Sequence, residues 1–169
     1  MSSEIRLTPT SYIVLGLLEA TEEATPYDLK QMVAVSLGNF WSLQHAQLYA
    51  EPERLAAAGY LSERREEGGR RRRHYAITDG GREALRAWTA EPTAELTELR
   101  DLALLKVFFG ADPKAIAEIQ LPAHERQLAA YEELRRDVGK ALPKGPGITL
   151  EAGIASERIW IEFWSELTG

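Results

Sequence analysis

The stretch LSERREEGGRRRRHYAIT, residues 61–78, decides how this chain is read. Two segments suited to extended backbone flank a Gly68-Gly69 centre, the pattern of a β-hairpin. Side chains alternate between the two faces of a strand. Tyr75 and Ile77 are expected to face a core, so Arg71 and Arg73 begin on their side and Arg70, Arg72 and His74 on the other. Four successive arginines beside a tight tip suit an anion, because the guanidinium fork matches phosphate oxygens.

The net charge hides this feature. The 169-residue chain has a formal net charge of −6. Residues 1–90 carry 11 Lys/Arg against 12 Asp/Glu, and residues 91–169 carry 9 against 14. Acidity therefore belongs mainly to the second half. Within the first half, Arg64, Arg65, Arg70, Arg71, Arg72, Arg73, Arg82 and Arg86 fall inside 23 residues. A local basic stripe on an acidic chain is what nucleic-acid binding requires.

Upstream of the hairpin, helix signals come in series. Thr8-Pro9 pairs a capping residue with a proline at the first helical position, ahead of the apolar run SYIVLGLLEA. Thr25-Pro26 repeats the device, with Asp28 placed to favour the helix N-terminus and Gly38-Asn39 as the stop. A third helix follows Phe40-Trp41-Ser42, reading LQHAQLYAEPERLAAAG, with Leu48 and Leu55 on one face. Pro52 inside it is expected to bend or loosen the helix, since it cannot bond the carbonyl of Leu48. Downstream, Thr78-Asp79 opens a fourth helix with Leu85 and Trp88 spaced for one face.

Three helices, a hairpin and another helix in about 90 residues specify a winged helix-turn-helix domain, whose third helix enters the DNA major groove and whose hairpin reaches the flanking backbone. With Leu48 and Leu55 inward, the third helix presents Ala46, Gln47, Tyr49, Ala50, Glu53 and Arg54 outward. Small alanines let the backbone approach base edges. Gln47 suits an adenine edge, and Tyr49 a phosphate or a thymine methyl. The candidate DNA contacts are Gln44, His45, Gln47, Tyr49, Arg54, Arg70, Arg71, Arg72, Arg73 and His74. Arg70 and Arg72 are expected to be the phosphate clamps, with Arg71 and Arg73 in support.

Glu91-Pro92-Thr93 marks a boundary, giving a DNA-binding domain over 1–92 and a helical dimerisation domain over 93–169. The fold class expected is mainly α with one small β-hairpin. In the second domain ELRDLALLKVFFG, residues 98–110, reads as an apolar helix closed by Gly110. Asp112-Pro113 opens a polar helix to about residue 142, with a break expected at Leu121-Pro122. Lys144-Gly145-Pro146-Gly147 reads as a loop, and 148–167 as a last helix. Leu99, Leu102, Leu105, Phe109, Leu150, Ile154, Ile161 and Trp164 are the dimerisation candidates.

At these residues the chain resembles the PadR family of transcriptional regulators. The matching features are the aromatic entry Phe40-Trp41, the pair Leu48-Tyr49, and Leu55 leading through Gly59-Tyr60-Leu61 into the wing. In the wing itself they are Gly69, Arg72, Arg73, His74, Tyr75, Ile77 and Thr78. Glu98-Leu99-Arg100-Asp101 through Lys106, and the closing helix, are similar to the family's dimerisation region. Two positions depart: Ala50 follows Tyr49 where the family carries proline, and Arg71 occupies the usual wing-proline position. The resemblance implies an effector-responsive repressor that binds an inverted-repeat operator as a homodimer, with half-sites about 34–36 Å apart. It also implies a planar small-molecule effector, for which Trp88, Trp160 and Trp164 are the aromatic candidates; their plainer role is packing of the core or the dimer.

Other classes are disfavoured. Without cysteine there is no disulfide framework and no thiolate. His45, His74 and His124 lack metal-ligand spacing. No phosphate-cradling glycine loop or nucleophile signature appears, so neither an enzyme nor a cofactor is expected. No segment approaches the roughly 18 apolar residues of a membrane span, and no signal-peptide pattern opens the chain. A cytoplasmic protein is expected. The competing class is a winged domain that binds a protein partner without touching DNA; steep salt dependence separates the two.

Overall fold

The computed structural model describes residues 5–38, 40–68 and 71–169, with only the backbone of His45. It comprises two compact units that divide after Glu95.

The first unit contains α1 (Pro9–Glu19), α2 (Pro26–Ser36), α3 (His45–Ala57), β1 (Leu61–Arg65), β2 (Arg73–Ile77) and α4 (Asp79–Ala90). Its helix starts follow the local chemistry. Thr8 and Ser11 form a reciprocal capping box on α1, and Thr25 and Asp28 form another on α2. Thr78 caps α4, accepting from the Gly81 amide at 3.1 Å. Val14, Leu15, Leu18, Leu29, Val33, Leu48, Leu55, Leu61, Tyr75 and Ile77 meet in one buried cluster. Pro52 does not end the helix: α3 runs from His45 to Ala57 without interruption. The proline is fully buried, so packing of its ring offsets the missing amide bond.

The hairpin strands are antiparallel, with Leu61 opposite Ile77, Glu63 opposite Tyr75 and Arg65 opposite Arg73. Tyr75 and Ile77 are buried and the residues near the tip are open. A third segment joins the sheet. Ala24, in the α1–α2 connection, exchanges backbone hydrogen bonds with Tyr75 at 3.0 and 2.9 Å. Gly81 sits where the wing base meets α1 and α4. A Cβ there would lie 2.3 Å from the Tyr60 carbonyl oxygen and 2.8 Å from Ile77 Cγ1. No side chain fits this approach.

The second unit contains α5 (Leu102–Phe108), α6 (Pro113–Val138) and α7 (Lys144–Glu166). Three expectations are corrected. Asp101 caps α5, its carboxylate accepting from the Leu104 amide at 2.8 Å, so Leu99 lies outside the helix. Helix α6 passes through Pro122 without a break. Residues 144–147 are the first turn of α7 and not a loop, with the Gly147 amide already bonded to the Pro143 carbonyl at 3.0 Å. Pro146 is tolerated there because first-turn amides have no partner within a helix.

Helices α6 and α7 pack along their lengths, with the Tyr131 ring against Gly153. Ala103, Ala117 and Trp164 form the buried cluster of this unit, and Ile154 is also buried. Ile154 and Trp164, expected at a dimer surface, are therefore inside the protomer. On a helical wheel the opposite side of α7 carries Ile148, Ala152, Ala155, Ile159 and Phe163. Ile148 and Ile159 are 61% and 63% exposed. Helix α7 is thus apolar on two faces, one spent on its own core and one open.

Candidate nucleic-acid interface

Helix α3 is fixed from beneath by Leu48, Leu55 and Pro52. Its outer face leaves Ala46, Gln47, Tyr49, Ala50 and Glu53 exposed, with Gln44 at the N-cap. Phe40 and Trp41, before the helix, are also exposed. The face expected from 3.6-residue periodicity is thus the face that the fold leaves bare, apart from Arg54. His45 lies among these positions, but its side chain is outside the described residues.

Arg54 is half-covered and engaged within the fold. Its Nε donates to Glu51 Oε2 at 2.9 Å and its Nη2 to Glu51 Oε1 at 2.6 Å. Nη2 also donates to Ser11 Oγ at 3.0 Å and Nη1 to the Arg6 carbonyl at 3.2 Å. Ser11 Oγ in turn donates to Glu51 Oε1 at 2.6 Å. These bonds tie α3 to the start of α1. Four of the five guanidinium donors are occupied, so Arg54 holds the helix in place instead of offering a fork to phosphate.

The wing arginines divide by partner. Arg64 pairs with Glu23 through two bonds, the Nε–Oε2 one at 3.1 Å, and Arg65 Nε lies 2.6 Å from Glu63 Oε1. Arg73 reaches back to α3, its Nη1 3.0 Å from Glu53 Oε1, and its Nε is 3.9 Å from Glu63 Oε1. The Tyr75 hydroxyl and these carboxylates hold the Arg73 guanidinium above its ordinary range. His74 is not an open contact. Its side chain is mostly covered, between Glu66 at 2.9 Å and Glu23 at 3.4 Å. That His–Glu pairing and the Arg64–Glu23 pair pull the α1–α2 connection onto the hairpin, alongside the Ala24 bridge.

Arg71 and Arg72 are exposed and make no ion pair among the described residues. Arg70, the other expected clamp, lies outside the described residues, as does Gly69. Arg71 adopts φ +46°, a left-handed conformation closed to proline, whose ring holds φ near −65°. Gly68, at φ +105°, supplies the conformation that needs glycine.

The three tryptophans divide between the two units, with Trp160 packed against the Trp164 cluster of the second. Trp88, in the first unit, stacks on Tyr12 with ring centroids 4.5 Å apart. Trp160, in the second, lies over His124 at 6.0 Å. Trp164 is fully buried in its own unit, and its indole Nε1 has no hydrogen-bond partner among the described residues. The dimerisation candidates divide as well: Leu99, Leu102, Leu105 and Phe109 are exposed, Leu150 and Ile161 half-buried, and Ile154 and Trp164 buried. Sequence reasoning missed the Ser11–Glu51–Arg54 network and the Glu53–Arg73 bridge, whose partners lie on separate elements. The outer stripe of α7 was visible as Ile148, Ile159 and Phe163, but nothing local says which apolar face the protomer itself covers.

Residues 14–87 match the profile of the transcriptional regulator PadR-like family, and residues 99–168 the one described as virulence activator alpha C-term. A curated relative, the negative transcriptional regulator PadR of Bacillus subtilis, is 31% identical over 100 residues. That match spans 58% of this chain and 54% of the relative, about half the length of each. The crystal structure of Bacillus subtilis PadR in complex with operator DNA superposes with a TM-score of 0.84 at 21% identity, over 97% of this chain and 98% of that one. The same protein in complex with p-coumaric acid gives 0.75 at 21%, over 96% and 97%. At these identities the structural likeness establishes the fold.

Proposed function

We propose that this chain, whose residues 14–87 match the PadR-like family of transcriptional regulators, is a homodimeric DNA-binding repressor of that family acting in the cytoplasm. One observation carries the reading. The bare face of α3, with Gln47 and Tyr49 on small alanines, lies in the same compact unit as a wing whose Arg71 and Arg72 are exposed and unpaired among the described residues. Gln47 and Tyr49 read base edges, and the arginines hold the flanking phosphates. The open stripe of α7, together with Leu102, Leu105 and Phe109, supplies the apolar surface for the second copy. The likeness to a PadR solved with p-coumaric acid supports a planar aromatic effector. Such a ligand acts by shifting the dimer between half-site spacings that fit the operator and spacings that do not. No described helix is long and apolar enough to cross a membrane.

The test is a titration of the protein against two duplexes of equal length, one from the region upstream of its own gene and one of random sequence, at several salt concentrations. Binding should weaken steeply with salt. Arg72→Ala should weaken both duplexes alike and flatten the slope of log K against log salt by about 1.8, about 0.9 for each wing of the dimer. Gln47→Ala should instead reduce the preference between them, by about 1–3 kcal/mol. Salt-insensitive binding would refute the reading in favour of a protein partner.

A further inference from the structure

Glu53 stands out on the face assigned to DNA. It lies two turns beyond Ala46 on the same side of α3, its side chain is 63% exposed, and it carries a charge that phosphate repels. Its carboxylate is bonded across to the wing, Oε1 lying 3.0 Å from Arg73 Nη1. Among the described residues this is the ion pair that joins the outer face of α3 to the hairpin. The other acidic neighbour of Arg73, Glu63, is 3.9 Å away and already holds Arg65 at 2.6 Å while accepting from the Tyr75 hydroxyl at 3.3 Å. Releasing Glu53 would leave Arg73, 37% exposed, with the Tyr75 hydroxyl and the more distant Glu63 as its remaining partners, and would free its Nη1 to reach solvent or phosphate.

We infer that Glu53 is a specificity-determining residue that withholds Arg73 from duplexes lacking the matching base. This rests on the regulator reading above. On a random duplex Glu53 finds no donor, keeps Arg73, and one cation is missing from the phosphate contacts that supply non-specific affinity. On a matched site a base-edge amino group, of which cytosine N4 is the one suited to a glutamate, takes the carboxylate. Arg73 then passes to a phosphate. The same ion pair thus lowers background binding and is surrendered on the operator.

The experiment compares wild type, Glu53→Gln and Glu53→Gln/Arg73→Ala on the upstream and random duplexes, with thermal melting in parallel and Glu53→Ala as a second single variant. For the single variants the salt slope on random duplex should steepen by about 1.8, because one cation is freed in each wing of the dimer. Affinity for it should then rise about twelvefold more than for wild type on fourfold dilution of salt. The slope on the upstream duplex should stay as in wild type, and adding Arg73→Ala should return the random-duplex slope to the wild-type value. An unchanged random-duplex slope in variants that melt normally, or equal steepening on both duplexes, would overturn the inference while leaving the regulator reading intact. Wild-type protein that binds neither duplex removes that reading, and this inference with it.

Discussion

Replacing Arg54 by alanine separates two roles that the sequence cannot distinguish. If the guanidinium served phosphate, the variant would lose affinity and keep its stability. The structure leads to the opposite expectation. The substitution removes two bonds to Glu51, one to Ser11 and one to the Arg6 carbonyl. It strands a carboxylate whose side chain is only 12% exposed, next to a serine that is fully buried. Breaking a fully buried pair costs about 3–5 kcal/mol and an exposed one less than about 1 kcal/mol. Arg54 itself is 37% exposed, which sets the expected loss at about 2 kcal/mol and lowers the melting temperature of the first unit by about 8–16 °C. The penalty should depend on pH. Burial works to raise the Glu51 carboxyl, but the bonds from Arg54 and Ser11 outweigh it and hold the group below the usual carboxylate range. The stabilisation it provides is complete above the pKa of an unfolded glutamate, about 4.3, and is lost as pH falls through the lower folded value. The melting difference between wild type and variant should therefore be full at pH 7 and shrink below about pH 4. Calorimetry across that range, with a salt titration on random duplex, provides the assay. An unaltered melting temperature with a salt slope flattened by about 1.8, about 0.9 for each protomer, would show that Arg54 belongs to the DNA contacts and refute the structural role.

Two further substitutions probe the wing base and the second unit. Gly81→Ala places a methyl 2.3 Å from the Tyr60 carbonyl oxygen, 2.8 Å from Ile77 Cγ1 and 3.1 Å from Leu15 Cδ2. It should cost about 2–3 kcal/mol in urea unfolding, and a loss below about 0.5 kcal/mol would show that the first turn of α4 moves freely. Ile159→Glu puts a charge on the open face of α7 at a position 63% exposed in the protomer. It should yield a folded monomer by sedimentation with unchanged far-ultraviolet dichroism; a persistent dimer would show that this stripe is not the interface.

Much of the first unit was legible because its determinants are local. Thr8, Thr25 and Thr78 each cap a helix from within three residues, and the alternation that buries Tyr75 and Ile77 is written in β2 itself. In α3, two leucines seven residues apart were enough to orient the face that carries Gln47 and Tyr49. Legibility failed where a residue answers to something distant. The sequence displays apolar side chains on two faces of α7; packing of α6, with its Tyr131, and of Ala103 in α5 on one side determines that Ile154 and Trp164 turn inward while Ile159 turns out. Lys144-Gly145-Pro146-Gly147 carries loop composition, yet first-turn positions make no demand for an amide donor, so composition and conformation part there.

The arginines show this limit most clearly, because charge is countable in a sequence and availability is not. Arg64 is matched by Glu23, 41 residues away, and Arg73 by Glu53 on another element, while Arg65 is held by Glu63. Of the five described arginines between positions 64 and 73, only Arg71 and Arg72 are exposed without an ion pair among the described residues. Each free cation contributes about 0.9 to the salt slope, so these two supply about 1.8 per wing, well short of what the raw count suggests. On the proposed reading, discrimination falls to α3, whose outer face carries a neutral Gln47, a half-exposed Tyr49 and a bridged Glu53 among small alanines.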